Sequence, residues 1–259
     1  MAFLQMQYHS DALKVQVSVN VILPEHADTM IGMEAKGEST YKTLYLFHGL
    51  SDDHSIWMRR TSIERYASEY NIAVVMPAVG RSWYTDTVGG ENYFTFGTKE
   101  LPDKCRGFFR GMSDKPEDNL VAGLSMGVYG AVKAALCCPE RFGACASLSG
   151  SMDISLLRRM GLVPEWRCIF DHNLQSTEEL AGTEHDLFYL ATRAKEQGIT
   201  FPKMFIWCGT EDGLLDSNDR FSAHLHALGI AHEYRTSEGN HSWKWWDLHI
   251  QSALAYLLG

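Results

Sequence analysis

"NLVAGLSMGVYGAVKAAL", residues 119–136, carries the decision about the fold. Its first part is a short apolar run of the kind that forms a buried strand, and the part after Ser125 has the residue types of a helix packed on a sheet. Gly123 and Gly127 occupy the first and last positions of G-x-S-x-G around Ser125. A tight strand-to-helix turn needs small residues beside its apex, and the apex residue is strained with its side chain pushed outward. Ser125 is thereby expected to stand clear of the sheet, at the N-terminus of a helix whose dipole favours developing negative charge. The pattern also arises by chance in glycine-bearing loops, but the flanking strand and helix are the context it requires. A lone hydroxyl is inert, so the rest of the chain must supply a base, an orienting acid and donors for an oxyanion.

Working outward from this turn, "KVQVSVNVIL" alternates with valines on one face and predicts an antiparallel-type strand near the start. "TLYLFHG", "IAVVMP", "GACASLSG", "KMFIWCG" and "AHEYRT" predict further strands, most of them continuous apolar runs. Between them, "SIWMRRTSIERYASEY" predicts an amphipathic helix, residues 100–110 a second, "SNDRFSAHLHALG" another and "WKWWDLHIQSALAYLL" the closing one. Strands that are apolar on both faces and alternate with helices imply a mostly parallel sheet covered on both sides, hence an α/β domain. Residues 152–199 fit this rhythm poorly and read as a small insertion over the C-terminal edge of the sheet, within a single domain spanning 1–259.

An acid just past a late strand suits an orienting role, and "TEDGLLDSND" after "KMFIWCG" offers Asp212, with Glu211 and Asp216 as rivals. Asp216 or Ser217 also suits the N-cap of the helix that follows. His241, in "TSEGNHSWKWW", lies in a loop before the last helix and C-terminal to both serine and acid. The other histidines read as surface or structural; His224 and His226, two apart on a helix, cannot share a metal. The order Ser125, Asp212, His241 is the chain order of α/β-hydrolase triads. Oxyanion donors are expected from the backbone N–H groups of Met126 and of Leu50 in "FHGLSDD". His48 reads as a structural histidine bonded to this loop, and Asp52, Asp53 and His54 as a helix cap rather than a metal site.

The net charge of −9 and the absence of any basic run argue against a nucleic-acid or anionic-membrane partner. No segment reads as a signal peptide or is long enough to cross a bilayer. The six cysteines show no C-x-x-C pattern, so reduced, buried thiols in a cytoplasmic protein are expected.

With these residues assembled, the chain resembles the α/β-hydrolase branch that holds esterase D (S-formylglutathione hydrolase), the bacterial tributyrin esterases and some feruloyl esterases. The resemblance to the tributyrin esterase group rests on "VNVILPE", "YLFHGLSDDHSIWMRRTSIERYA", "VVMPAVGRSWYTDT", "KELP", "AGLSMGVYGAVKAAL", "WCGTEDGLL" and "GNHSWKWW" and runs nearly the full length. It implies an α/β-hydrolase fold and a serine carboxylesterase, with Ser125 as nucleophile, Asp212 as acid, His241 as base, and Leu50 and Met126 forming the oxyanion hole. Short-chain acyl esters are the expected substrates; feruloyl esters and S-formylglutathione-type thioesters are also compatible with the family, and an acyltransferase or a non-catalytic binding module are readings of another class. No metal or organic cofactor is implied, and a homo-oligomer is compatible with the family. Trp83 and Tyr84 in "SWYTDT", with Trp166, are expected to line a confined aromatic pocket. One departure is Val128, where the family commonly has a second glycine after the serine turn.

Overall fold

The computed structural model describes residues 1–25, 40–155 and 164–259. Eight strands form one sheet: β1 (Ala2–Ser10), β2 (Val15–Leu23), β3 (Thr43–Phe47), β4 (Ala73–Pro77), β5 (Asn119–Leu124), β6 (Ala144–Leu148), β7 (Lys203–Gly209) and β8 (Glu233–Ser237). Their spatial order is β1-β2-β4-β3-β5-β6-β7-β8. β2 runs antiparallel to both β1 and β4, and every pairing from β4 through β8 is parallel.

The helices are α1 (Ile56–Arg60), α2 (Ile63–Tyr70), α3 (Tyr93–Thr95), α4 (Leu101–Phe108), α5 (Met126–Cys137), α6 (Pro164–Ile169), α7 (Leu187–Glu196), α8 (Leu215–Ala227) and α9 (Trp243–Leu258), with a π turn at Phe96–Glu100 joining α3 to α4. They cover both faces of the sheet. On β3, Tyr45 and Phe47 belong to the core shared with α4, α5, α7 and α8, whereas Leu44 and Leu46 belong to the core shared with α1, α2 and α9. That period of two, apolar on both sides, is why the inner strands read as continuous hydrophobic runs. The α/β architecture with a mostly parallel sheet is the one expected.

Several local expectations are corrected. β1 has no counterpart among the expected elements; it is an edge strand whose Leu4 and Met6 are only half buried, so its apolar signal is weak. The single helix expected over residues 55–70 is two helices, because Thr61 is extended. The Thr61 hydroxyl donates to the Trp57 carbonyl at 2.6 Å and accepts the Ile63 N–H at 3.1 Å, ending one helix and starting the next. All six cysteines are free, but Cys137 and Cys168 are exposed rather than buried. Of the 152–199 stretch, residues 156–163 lie outside those described. α7 packs against α5 and α8 as an ordinary crossover helix between β6 and β7, leaving α6 and its neighbouring turns as the irregular part.

Candidate active site

Ser125 sits between β5 and α5 with φ 53° and ψ −117°, a region that side-chain-bearing residues rarely adopt. The two glycines around it explain how the turn closes. A Cβ on Gly123 would lie 2.4 Å from the Gly127 carbonyl carbon, and one on Gly127 would lie 2.6 Å from the Phe47 carbonyl oxygen. Val128 is accommodated because its neighbour is Gly150, where an added Cβ would meet the Val128 side chain at 2.5 Å.

The loops after β7 and β8 bring the other two residues to this turn. The two loops approach so closely that a Cβ on Gly209 would fall 2.1 Å from the Gly239 oxygen. The Glu211 N–H donates to the Gly239 carbonyl at 2.9 Å, and the Gly239 N–H donates to the Glu211 carboxylate at 3.1 Å. Glu211 therefore stitches the loops together and does not face the imidazole. Asp216 is not an N-cap either; it lies inside the first turn of α8 and pairs with Arg220 at 3.3 Å.

Ser125, His241 and Asp212 form one hydrogen-bonded line. Ser125 Oγ is 3.0 Å from His241 Nε2, and His241 Nδ1 is 2.9 Å from Asp212 Oδ2 and 3.2 Å from Oδ1. Asp212 is buried, and its Oδ1 also accepts the Leu214 N–H at 2.9 Å. Burial works to raise its pKa, but His241, the Leu214 N–H and the Ser149 hydroxyl outweigh this, so the carboxyl lies below its ordinary value. A carboxylate held charged beneath an imidazole fixes the Nδ1–H tautomer, which leaves Nε2 free to accept the serine proton.

The loop after β3 carries Leu50 and is clamped from beneath. His48, which is buried, donates from Nδ1 to the Gly49 carbonyl at 2.7 Å and accepts the Val79 N–H at Nε2 at 3.1 Å. Burial holds its pKa below the usual imidazole range, consistent with a neutral ring bonded on both sides. The structural role expected for His48 is what its contacts describe. Among the described residues, no hydrogen bond from the backbone N–H of Leu50 or of Met126 to a protein acceptor is found. Met126 opens a helix, where such N–H groups have no intrahelical partner.

Both residues line a cavity of about 710 Å³ together with the three side chains above. Its walls are largely aromatic and aliphatic: Trp83, Leu124, Leu214, Trp243 and Trp246. Asp52 also lines it, and among the described residues no lysine or arginine does. Of the three aromatics expected to form the pocket, only Trp83 reaches it. Tyr84 lies beneath, its hydroxyl donating to the His48 carbonyl at 3.1 Å and its ring stacked on Phe47. Trp166 lies behind, 5.9 Å from Trp83 between ring centroids. Trp243 and Trp246 line it from α9, where "WKWW" reads in sequence only as the start of the closing helix; their position just after His241 is the signal that places them at the site.

Among the described residues no cluster of three or more His, Cys, Asp or Glu side chains converges as a metal site, and no helix is long and apolar enough to cross a membrane.

Comparison with known proteins places this geometry in a family. The chain is 34% identical to the Staphylococcus aureus fluorophosphonate-binding serine hydrolase F, solved with substrate bound, with a TM-score of 0.88 over 100% of this chain and 98% of that one. It is 32% identical to S-formylglutathione hydrolase of Staphylococcus aureus, with a TM-score of 0.87 over 100% of this chain and 99% of that one. An acetyl esterase of Caldicellulosiruptor saccharolyticus is 29% identical over 99% of this chain and 98% of its own length. The family model "Putative esterase" matches residues 10–257, so the chain belongs to that family of α/β-hydrolase-fold esterases.

Proposed function

We propose that the protein is a serine carboxylesterase acting on short-chain acyl esters of uncharged alcohols. The observation that carries this reading is the continuous line from Ser125 Oγ through His241 to the buried Asp212 carboxylate. His241 takes the Ser125 proton as the hydroxyl attacks the ester carbonyl, and Asp212 holds the imidazole and stabilises its charged form. The oxyanion forms against the N–H groups of Met126 and Leu50, at the N-terminus of α5. His241 then protonates the departing alcohol, and water, activated by the same imidazole, releases the acid from Ser125.

The substrate class is supported by the walls. Trp83, Trp243 and Trp246 favour an apolar acyl or alcohol group, while Asp52, with no lysine or arginine among the described lining residues, disfavours a carboxylate on the substrate. The full-length similarity to an acetyl esterase points the same way. A second reading, a thioesterase acting on an S-formyl thioester, is favoured by the 32% identity to S-formylglutathione hydrolase; the lack of a lysine or arginine among the described lining residues weighs against an anionic thiol carrier.

The test is a p-nitrophenyl series from acetyl to octanoyl, with a feruloyl ester and a formyl thioester added, on wild type and Ser125→Ala. Acetyl or butyryl esters are expected to be cleaved fastest, and Ser125→Ala to lose about 10⁴-fold or more in kcat. Retention of activity in Ser125→Ala would overturn the reading. A thioester cleaved far faster than every oxygen ester would select the second one.

A further inference from the structure

Trp83 and Tyr84, in the loop after β4, hold positive φ values of 55° and 49° one after the other. Bulky side chains rarely enter that left-handed region, and two in succession need surroundings that enforce them. The fold makes room for this pair. A Cβ on Gly130, in the interior of α5, would fall 2.4 Å from Cγ of the Tyr84 ring. A residue that weakens a helix therefore stands where the ring needs the space. The ring also stacks on Phe47, with centroids 4.3 Å apart. Trp83 reaches the cavity, and its neighbour Tyr84 is buried under the loop that carries Leu50.

The Tyr84 hydroxyl donates to the His48 carbonyl at 3.1 Å. Side chains hold the carbonyls on either side as well. The Trp57 indole N–H reaches the Phe47 carbonyl at 3.1 Å, and the His48 Nδ1–H reaches the Gly49 carbonyl at 2.7 Å. The Asp52 N–H adds a bond to the Gly49 carbonyl at 3.2 Å. In a planar trans peptide the carbonyl and the N–H of one unit point in opposite directions. The Gly49 carbonyl and the Leu50 N–H share a unit, so that N–H is turned away from the His48 ring, on a residue that lines the cavity. The His48 carbonyl also touches the serine turn: a Cβ on Gly127 would lie 2.8 Å from its oxygen. Gly127 directly follows Met126, so the atom that Tyr84 holds lies where the loop of Leu50 meets the turn of Met126.

We infer that Tyr84 is a positioning residue for the oxyanion hole: its hydroxyl pins the His48 carbonyl against the serine turn and so sets the Leu50 N–H relative to that of Met126. The inference rests on the proposed esterase mechanism, in which those two N–H groups receive the substrate's carbonyl oxygen. Without the hydroxyl, a buried carbonyl loses its donor and turns toward another, and the Leu50 peptide turns with it. Donors aimed in advance at a developing charge lose their effect when displaced. The strained pair has a use on this account, sending one side chain into the cavity and the next beneath the loop. Burial raises the Tyr84 pKa well above its ordinary value, so the hydroxyl keeps the proton it donates.

The experiment compares Tyr84→Phe and Tyr129→Phe with wild type and Ser125→Ala on p-nitrophenyl acetate, measuring kcat, KM and thermal melts. A second readout is the affinity for an alkyl trifluoromethyl ketone, whose tetrahedral adduct with Ser125 sets an oxyanion against the same donors. Tyr84→Phe keeps the ring and its stack and deletes only the hydroxyl. Tyr129→Phe is the matched control, because its buried hydroxyl also donates to a backbone carbonyl, that of His185, at 2.9 Å. Tyr84→Phe is expected to lose about tenfold or more in kcat with KM changed less than about twofold. The ketone should bind more weakly by about the same factor as kcat/KM falls. Tyr129→Phe should melt lower to a similar extent while both readouts stay within about twofold of wild type.

Wild-type kcat and ketone affinity in Tyr84→Phe would overturn the inference, leaving Tyr84 a purely structural residue. Equal losses in Tyr84→Phe and Tyr129→Phe would overturn it too, by assigning the effect to general loosening of the core. Should Tyr84→Phe fail to fold, His48→Ala, which frees the Gly49 carbonyl, decides on the same two readouts. Loss of activity in Ser125→Ala alone would retain the esterase reading and reject this one, whereas activity surviving in Ser125→Ala would reject the esterase reading itself.

Discussion

The serine turn and the aromatic wall of the cavity face each other across the same space but are made differently. The turn is built by neighbours in sequence: β5, Gly123, Ser125, Gly127 and α5 all fall within residues 119–137. The wall is built by strangers: Trp83 from the loop after β4, Leu214 from the loop before α8, and Trp243 and Trp246 from α9. The turn also tolerates almost nothing, since both glycines face backbone atoms at less than 3 Å from any added Cβ. The wall is side chain against side chain, held partly by the ion pair between Arg81 and Glu165 that ties the loop carrying Trp83 to α6. The difference teaches where selection pressure can act cheaply: a wall of side chains can be reshaped by rotamers, while a turn closed on backbone cannot.

The sharpest way to break this contrast is at the chemistry itself. Asp212→Asn is expected to lower kcat about 10⁴-fold, because the amide disfavours the required imidazole tautomer. Asp216→Asn, whose carboxylate pairs with Arg220 away from His241, should stay within about twofold on the same esters. The reverse pattern would mean the orienting acid is misassigned. Next in size is Gly127→Ala. A Cβ 2.6 Å from the Phe47 oxygen cannot be relieved by a rotamer change, so denaturant unfolding should show a loss of about 3 kcal/mol. A loss under about 0.5 kcal/mol would show that the turn is less closed than described.

At the wall, Trp83→Leu should preserve the fold and shift preference. The ratio of octanoyl to acetyl ester turnover is expected to rise about tenfold, and an unchanged ratio would place the acyl group elsewhere in the cavity. The smallest effect lies away from both regions. Burial, chiefly, pushes the pKa of His185 and of His249 down to about 4 from 6.5. A histidine kept neutral in the fold but free to charge when unfolded contributes stability that is intact above pH 6.5 and lost as pH falls from there toward 4. His249 is stacked on Trp207 with ring centroids 3.8 Å apart. His249→Phe should keep the stack and flatten that decline by about 1 kcal/mol, allowing for the partial exposure of the ring. An identical pH dependence of the melting temperature would assign the acid sensitivity elsewhere.

Much of the fold was legible from the chain because the inner strands are apolar on both faces and stand out as runs between helical segments. β1 escaped because an edge strand buries only part of one face. The break at Thr61 escaped because a hydroxyl that serves two helix ends looks, in sequence, like a residue inside one helix. In the site, Ser125, Asp212 and His241 were legible because each lies in the turn or loop just past the C-terminal end of a strand. Tyr84 and Trp166 misled because a tryptophan or tyrosine has the same composition whether it lines a cavity or packs behind the residue that does.

By itself, then, the sequence determined what depends on near neighbours: the strand-to-helix turn at Ser125, the alternation of strands and helices, and the order of serine, acid and histidine along the chain. Only the tertiary structure decided which acid meets the imidazole and which tryptophans form the wall. The physical reason is one of range. Backbone conformation and hydrophobic period are set within a few residues, whereas hydrogen-bond partners and pocket walls are set by what the sheet brings together. Here that was Asp212 and Ser125, which meet His241 from 29 and 116 positions away along the chain.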